Sequence, residues 1–404
     1  MIFPNLSAAG QVQRKSLPRW DLPYLAPSGL AANMVLDFES GSYGRNRVAE
    51  ANPISGARNG VPAVDGGAGG MIVEPARTNQ VIWSVSSAAN WSAVGSTLAD
   101  LSQNVLGLFQ GLSVASAGAV WHRAAPPAIS FDSTKTYCVT LWYSAGSANN
   151  IKAILYSTSS TPSTDLEVGG VPGAVGILKQ DNGTVFDLRE TDLGSGVFRL
   201  SFCCTVDATI SENWGVGPDS ATSGQDVVVY GMQIEEGNAA TGYIATNGSV
   251  GARVADSVGL AGAGWLSASA GTLLIQTTAG SNGDVPLLRL LETAGGDGLN
   301  LVQNAAGTLS LHYADGATTG SLTTLNSQAA YVAAKAAISW SGSGLSLCLN
   351  GGTVETGVNT VAPGIDQLDF YDPAHGETYG PELVTQCVHY PSRIADADLQ
   401  AITS

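Results

Sequence analysis

The strongest constraint in this chain is an alternation of side-chain character with a period of two, recurring in short runs divided by turn residues. Phe198, Leu200, Phe202, Cys204 and Val206 fall on one side of a run whose other side carries Arg199, Ser201, Cys203 and Thr205. Successive strand side chains point to opposite faces, so such a run reads as a strand with one face in a core. Tyr137, Val139, Leu141 and Tyr143 alternate with Cys138, Thr140 and Trp142 in the same way. Ile151, Ala153 and Leu155 form a further run, as do residues 227–234, and Asp181-Asn182-Gly183 is a turn signal between runs. Beyond residue 253 the pattern resumes with Leu273 and Ile275, then Leu309, Leu311 and Tyr313, then Ile338 and Trp340, then Leu345, Leu347 and Leu349. Trp340 shares an inward run and is assigned to the core. Asn350-Gly351 is a strong hairpin signal. Only residues 394–402 look helical, with Asp396 placed to cap or charge the first turn. Many short strands without a helical repeat predict a mainly β chain of two antiparallel β-sandwiches in tandem behind an irregular N-terminal segment.

Composition agrees with this and removes some functions. The chain has 404 residues, room for two or three domains, with 50 glycines and only 12% charged residues. Its formal net charge of −16 would repel a nucleic-acid backbone, so sequence-independent nucleic-acid binding is not expected. No apolar stretch approaches the roughly 18 residues of a membrane span, and Met1-Ile2-Phe3-Pro4-Asn5 does not open a secretory signal. Synthesis in the cytoplasm without a signal peptide is therefore expected. Cysteines at 138, 203, 204, 348 and 387 are odd in number and lack metal-ligand spacing. All five are read as small, buried, free thiols, fitting assembly in a reducing cytoplasm.

Three divisions follow: residues 1–70, 71–253 and 254–404. The first lacks periodicity but holds Phe3, Leu17, Trp20, Leu22 and Tyr24 beside a small basic cluster, Arg14, Lys15 and Arg19. Large apolar side chains are not left in water, so the segment either packs back on its own domains or docks into a partner's groove. The segment is read as an extended anchor that docks into a groove on a partner.

Several landmarks carry a family resemblance. Met71-Ile72-Val73-Glu74-Pro75-Ala76-Arg77-Thr78-Asn79 resembles the LLVEPARTNL opening of a carbohydrate-binding-like jelly roll in many phage structural proteins. Asn90-Trp91-Ser92 and the strand at 137–146 match the next landmarks. A late set follows: Gly231-Met232-Gln233-Ile234-Glu235-Glu236-Gly237, Tyr243-Ile244-Ala245-Thr246 and Ala252-Arg253-Val254-Ala255-Asp256. Ala245 departs from the proline usual in that family. In the last third, Ser339-Trp340, Asn350-Gly351 and Tyr390-Pro391-Ser392-Arg393-Ile394 are similar to a concanavalin- or laminin-G-like jelly roll. The resemblance implies a head-fibre, tail-fibre or spike protein of a phage or gene transfer agent. Such a protein sits on the particle surface, held by its N-terminus to a capsid, spike-base or tail protein. It implies attachment to host capsular or surface polysaccharide, and a homo-oligomer, with a trimer suspected. The alternative is a purely structural decoration.

Motifs for chemistry are few. Glu235-Glu236 could suggest a glycosidase pair, but adjacent strand residues point to opposite faces and cannot flank one bond. Glu74 and Arg77 are read as polar contacts holding the linker to its sandwich. Asp366, Asp369, Asp372, Glu377 and Glu382 lack a calcium-loop spacing and are read as solvated charge. His312, His375 and His389 are scattered, with no nucleophile elbow nearby. No enzymatic activity, cofactor or metal is expected. Glycan binding needs exposed aromatic faces, for which the candidates are Trp83, Trp91, Trp121, Trp214, Tyr371 and Tyr379.

Overall fold

A computed structural model describes residues 34–37, 58–59, 71–105, 109–118, 122–253, 259–261, 265–266, 269–279, 285–292, 298–315, 318–330, 332–342, 344–357, 365–370 and 382–404. The anchor residues Phe3, Leu17, Trp20, Leu22 and Tyr24 lie outside this range, as do Trp121, Tyr371 and Tyr379.

The described chain forms antiparallel β-sandwiches, the class that the alternation predicts. In the first, one sheet runs Gly183–Gly194, Val197–Val206, Tyr137–Ala145, Asp226–Glu236, Arg77–Asn79 and Gly251–Arg253, with Phe109–Ser116 also paired to Asp226–Glu236. The facing sheet runs Ala174–Asp181, Thr164–Val171, Ile151–Ser157, Trp214–Pro218, Arg123–Ala125 and Ser92–Val94. Between them lie the inward halves of the alternating runs: Tyr137, Val139, Leu141, Leu155, Leu200, Phe202 and Cys204 among others. Each such side chain contributes about 1.5–3 kcal/mol by leaving water.

The outward half of Tyr137–Ala145 is buried too. Trp142 packs with Val197 and Tyr230 beneath irregular chain, and its ring meets Tyr243 edge-on at 5.2 Å. On this same face Cys138 stands directly opposite Cys203, and the two form a disulfide. The expectation of five free thiols is thereby corrected. Cys204, Cys348 and Cys387 remain free and buried. The pairing escaped the sequence because strand register, and not spacing along the chain, brings together residues 65 positions apart. Burial pushes the Cys204 thiol up to about 12, as suits a core residue.

The second sandwich sets Gly259–Ala261, Gln367–Asp369, Val285–Leu291, Gly298–Gln303, Thr308–Asp315 and Thr318–Ser327 against a second sheet. That sheet contains Glu382–Tyr390, Ala270–Ala279, Ala334–Ser341, Gly344–Leu349 and Glu355–Gly357. Trp340 is fully buried in the core between them, as predicted. Asn350 and Gly351 both have positive φ, 46° and 66°, and the Gly352 amide donates to the Leu349 carbonyl. That is the type I′ turn the dipeptide favours. The helix, Asp396–Thr403, starts within two residues of its predicted place and lays Leu399 on the outer face of the second sheet, against Leu274, Cys348 and Tyr390. Asp396 does not cap it: the N-cap position is Ala395, without a side-chain hydrogen bond, and Asp396 accepts from Ser346 Oγ at 3.0 Å.

Strand pairing crosses the boundaries expected at 70/71 and 253/254. Met34–Asp37 pairs with residues 386–389, and Met71–Val73 pairs with residues 382–384. Part of the segment read as an irregular anchor is thus edge strand of the second sandwich, and Arg58–Asn59 extends it by pairing with Met71–Val73. From Glu74 onward the chain belongs to the first sandwich.

Candidate functional site

Residues 74–79, 233–235 and 252–253 of the landmarks converge with residues 241–244 on one buried polar network. Asp226–Glu236, Arg77–Asn79 and Gly251–Arg253 lie side by side, which puts Gln233, Glu235, Asn79 and Arg253 around the loop at 238–246. Glu74, 1% exposed, accepts from the Gly242 amide and pairs with Arg253 at 3.0 Å. Glu235 accepts the Thr241 amide at 2.6 Å and its hydroxyl at 2.7 Å. Asn79 donates to the Ile244 carbonyl and accepts the Val81 and Ile234 amides. Gln233 brackets the same loop, donating to Gly242 O and accepting from Ile244 N. Arg253 and Arg199 donate to the carbonyls of Gly242 and Thr241. Burial raises the Glu235 pKa, while the Thr241 donors and then Arg77 and Arg253 hold it down.

This network has the geometry of a latch. The carboxylate oxygens of Glu74 and Glu235 are partnered by backbone amides, Arg253 and the Thr241 hydroxyl, which satisfies an irregular loop that would otherwise carry orphaned backbone groups. Glu74 holds the linker to the sandwich, as the sequence predicts. Glu235 and Glu236 do face opposite ways: Glu235 is fully buried, whereas Glu236 is exposed and pairs with Lys135.

A different region has the geometry for a ligand: the outer face of the sheet centred on Ile151–Ser157. Since Ile151, Ala153 and Leu155 point into the core, Lys152, Ile154 and Tyr156 point outward. Ile154 lies opposite Glu167 on one side and Gly215 on the other. Lys152 lies between Gly169 and Gly217, and Tyr156 opposite Asp165. The glycines keep the floor low. A Cβ on Gly215 would come within 2.2 Å of Arg123 Cδ, so the arginine stem lies where a side chain would stand. A Cβ on Gly217 would come within 2.0 Å of the His122 carbonyl oxygen. The result is a cleft of about 160 Å³ lined by His122, Arg123, Lys152, Ile154, Glu167, Pro218 and Asp219.

Its charges are paired. Lys152 Nζ lies 3.3 Å from Glu167 and 3.0 Å from Asp219. Burial pulls the Lys152 pKa down, but Asp219 and Glu167 outweigh it and leave it above its ordinary value. Burial lowers the Arg123 pKa, and Glu212 and Asp165 act against that. Lys179 bridges Asp165 and Asp181, and those contacts raise its pKa. His122 Nε2 accepts the Ser220 amide at 3.2 Å, so in this arrangement that nitrogen carries no proton.

The predicted aromatic platforms fare differently. Trp214 is fully buried, edge-on to Phe202 at 4.8 Å, and Trp91 is 3% exposed with its indole N–H donating to the Trp83 carbonyl. Neither can present a face to a sugar, and both assignments are corrected to core. The sequence did contain the signal for Trp214: in Trp214-Gly215-Val216-Gly217 the large residues alternate with glycine. Trp83 is half-buried and packs against the same core. Trp121, Tyr371 and Tyr379 lie outside the described residues. The cleft residues went unnoticed because four separate strands and two loops supply them.

Other candidates resolve simply. His389 is fully buried between Trp265 and Trp340, and burial pushes its pKa down to about 3. His312 is exposed, and His375, Asp372 and Glu377 lie outside the described residues. Asp369 accepts from the Gln367 amide. Among the described residues no group of three or more His, Cys, Asp or Glu side chains could hold a metal ion, and no helix is long and apolar enough to cross a membrane.

No family model matches the chain, and no curated protein matches it. Among solved structures it is similar to the CBM40 of the Ruminococcus gnavus IT-sialidase bound to α2,3-sialyllactose, at 17% identity over 34% of this chain and 84% of that one, with a TM-score of 0.29. It is similar to the receptor-binding domain of botulinum neurotoxin D, at 12% identity over 41% of this chain and 45% of that one, TM-score 0.31. It is also similar to the native heptameric SAP-like pentraxin of Limulus polyphemus, at 12% identity over 34% of this chain and 70% of that one, TM-score 0.28. At these scores the functional reading rests on the chain's own residues.

Proposed function

We propose that this chain is a fibre or spike protein on the surface of a phage-like particle, and that its first sandwich attaches the particle to host surface polysaccharide. The observation that carries the glycan reading is the outer-face cleft. It sets carboxylates and cations side by side over an apolar floor of Ile154 and glycine, with Tyr156 on the same strand face. Sugar hydroxyls donate and accept at once, so paired Glu167, Asp219, Lys152 and Arg123 suit them, while an apolar floor suits the C–H face of a ring. The particle reading is supported by the landmark residues, which this fold uses together in one latch. A shallow site of this size binds weakly alone, and several copies on one particle would supply avidity. The chemistry proposed is binding without turnover: Glu235 is committed to Thr241, and the cleft carboxylates Glu167 and Asp219 are both committed to Lys152.

The test is capture of host cells, with and without their capsule, by the full chain immobilised in multiple copies. Capsule-dependent capture is expected. Capture of neither cell type by folded protein would overturn the glycan reading and leave the decoration role. For the anchor, deleting residues 1–30 spares the strand at Met34–Asp37, and particles assembled with that variant are expected to lack the protein. Normal incorporation would refute the anchor.

A further inference from the structure

We infer that the glycan taken by the outer-face cleft is an uncharged polysaccharide and not an acidic one. This rests on the attachment reading above and deepens it. Three side chains on the face carry positive charge, Arg123, Lys152 and Lys179, and each already faces carboxylates of the protein. Those carboxylates are Asp165, Glu167, Asp181, Glu212 and Asp219. Glu212 belongs to the neighbouring strand pair Ile210–Glu212 and Ile129–Phe131. Without it, three positive against four negative leaves the face at −1, within a chain of net charge −16.

A uronate or sialate carboxylate would have to displace Glu167 or Asp219 from Lys152 and then sit beside the group it displaced. Like charges brought within a few ångströms cost more than a shared lysine returns. An uncharged sugar faces no such exchange. Its hydroxyls donate to Glu167 and Asp219 and accept from Lys152 without breaking the pairs, and its C–H face meets Ile154 and Tyr156.

The experiment uses the full chain in multiple copies on beads. It is tested against immobilised uncharged polymers (a glucan, a mannan, a galactan) and acidic ones (alginate, hyaluronate, polysialate). Binding is measured at about 20 mM and about 200 mM salt, between which the screening length falls severalfold. At least one uncharged polymer is expected to bind, within about twofold at the two salts, and acidic polymers at least about tenfold more weakly at low salt. Tyr156→Ala is expected to lose the uncharged polymer while keeping the melting temperature within a few degrees. The double variant Glu167→Gln, Asp219→Asn is expected to gain about tenfold for acidic polymers. Preference of the unaltered protein for an acidic polymer would overturn this inference and leave the attachment reading standing. Undiminished binding by folded Tyr156→Ala, or no gain in the double variant, would also overturn it. Failure to bind any polymer would sink both.

Discussion

The two sandwiches solve the same problem in opposite ways. Each has one sheet whose outer face is covered, and an outer face so covered must be satisfied by whatever lies on it. In the second sandwich the cover is the helix Asp396–Thr403 with Ile394 just before it, seated on apolar contacts of Leu399 and Ile394 with Leu274, Ala337, Val388 and Tyr390 and pinned by a few polar ones, such as Ser346 to Asp396 and the Gly351 amide to Thr403. A helix satisfies its own backbone, so its partner face can be plain. In the first sandwich the cover is irregular chain around residues 238–246, whose amides and carbonyls have no partners within the segment. Glu74, Asn79, Gln233, Glu235 and Arg253 supply them. Irregular cover demands particular polar residues, whereas helical cover demands mainly bulk and hydrophobicity.

That contrast can be broken by mutation. The largest effect is expected at Glu74→Ala, which strands Arg253 and the Gly242 amide in a buried site and should cost about 3–5 kcal/mol. Denaturant unfolding of the full chain measures it, and a cost below that of Leu399→Ala would break the comparison. Acid probes the second sandwich through His389. Its folded-state pKa of about 3 lies below the ordinary 6.5, so the unfolded chain takes up a proton that the folded one refuses. Stability falls as the pH drops from about 6.5 towards 3, by on the order of 4 kcal/mol at the lower end. Thermal melts of His389→Gln across that window should show a much flatter pH dependence than the unaltered protein. Replacing Cys138 and Cys203 by alanine should cost about 3 kcal/mol, since the bond closes a loop between residues 65 positions apart. Reduction by dithiothreitol should lower the melting temperature equally, and should leave the double variant unchanged. Leu399→Ala should cost about 2 kcal/mol, the low end for a buried leucine, because a surface helix can settle into the gap. Smallest of all is Lys135→Ala: both partners of the Lys135–Glu236 pair are about half exposed and screened by solvent, and no measurable shift of the denaturant midpoint is expected.

The same contrast explains what was legible in the sequence. Strands and turns were, because alternation in Tyr137–Ala145 and the dipeptide Asn350-Gly351 act locally. The latch residues were legible as the motifs that carry the resemblance, although nothing in the order of the residues says that they meet. What depends on register was not legible. Cys138 meets Cys203 only because their strands pair as they do, and the cleft exists only because Arg123, Lys152, Glu167 and Asp219 come from separate elements. The tryptophans misled for a related reason. Trp91 stands in a segment too short for a strong period, and the alternation of Trp214 and Val216 with glycine, though present, is brief enough that a large aromatic there reads equally as platform or core.

One feature of the pairing reaches further than stability. The chain leaves the second sandwich after Met71–Val73 and returns to it at Gly259–Ala261. Residues 77–79 and 251–253 run antiparallel beside each other, and the Glu74–Arg253 pair closes the neck. The first sandwich is therefore a cassette plugged into a surface loop of its neighbour, with both leads side by side. Such a module can be lost, replaced or exchanged without moving the host's termini, so binding specificity can change while the frame that carries it stays constant.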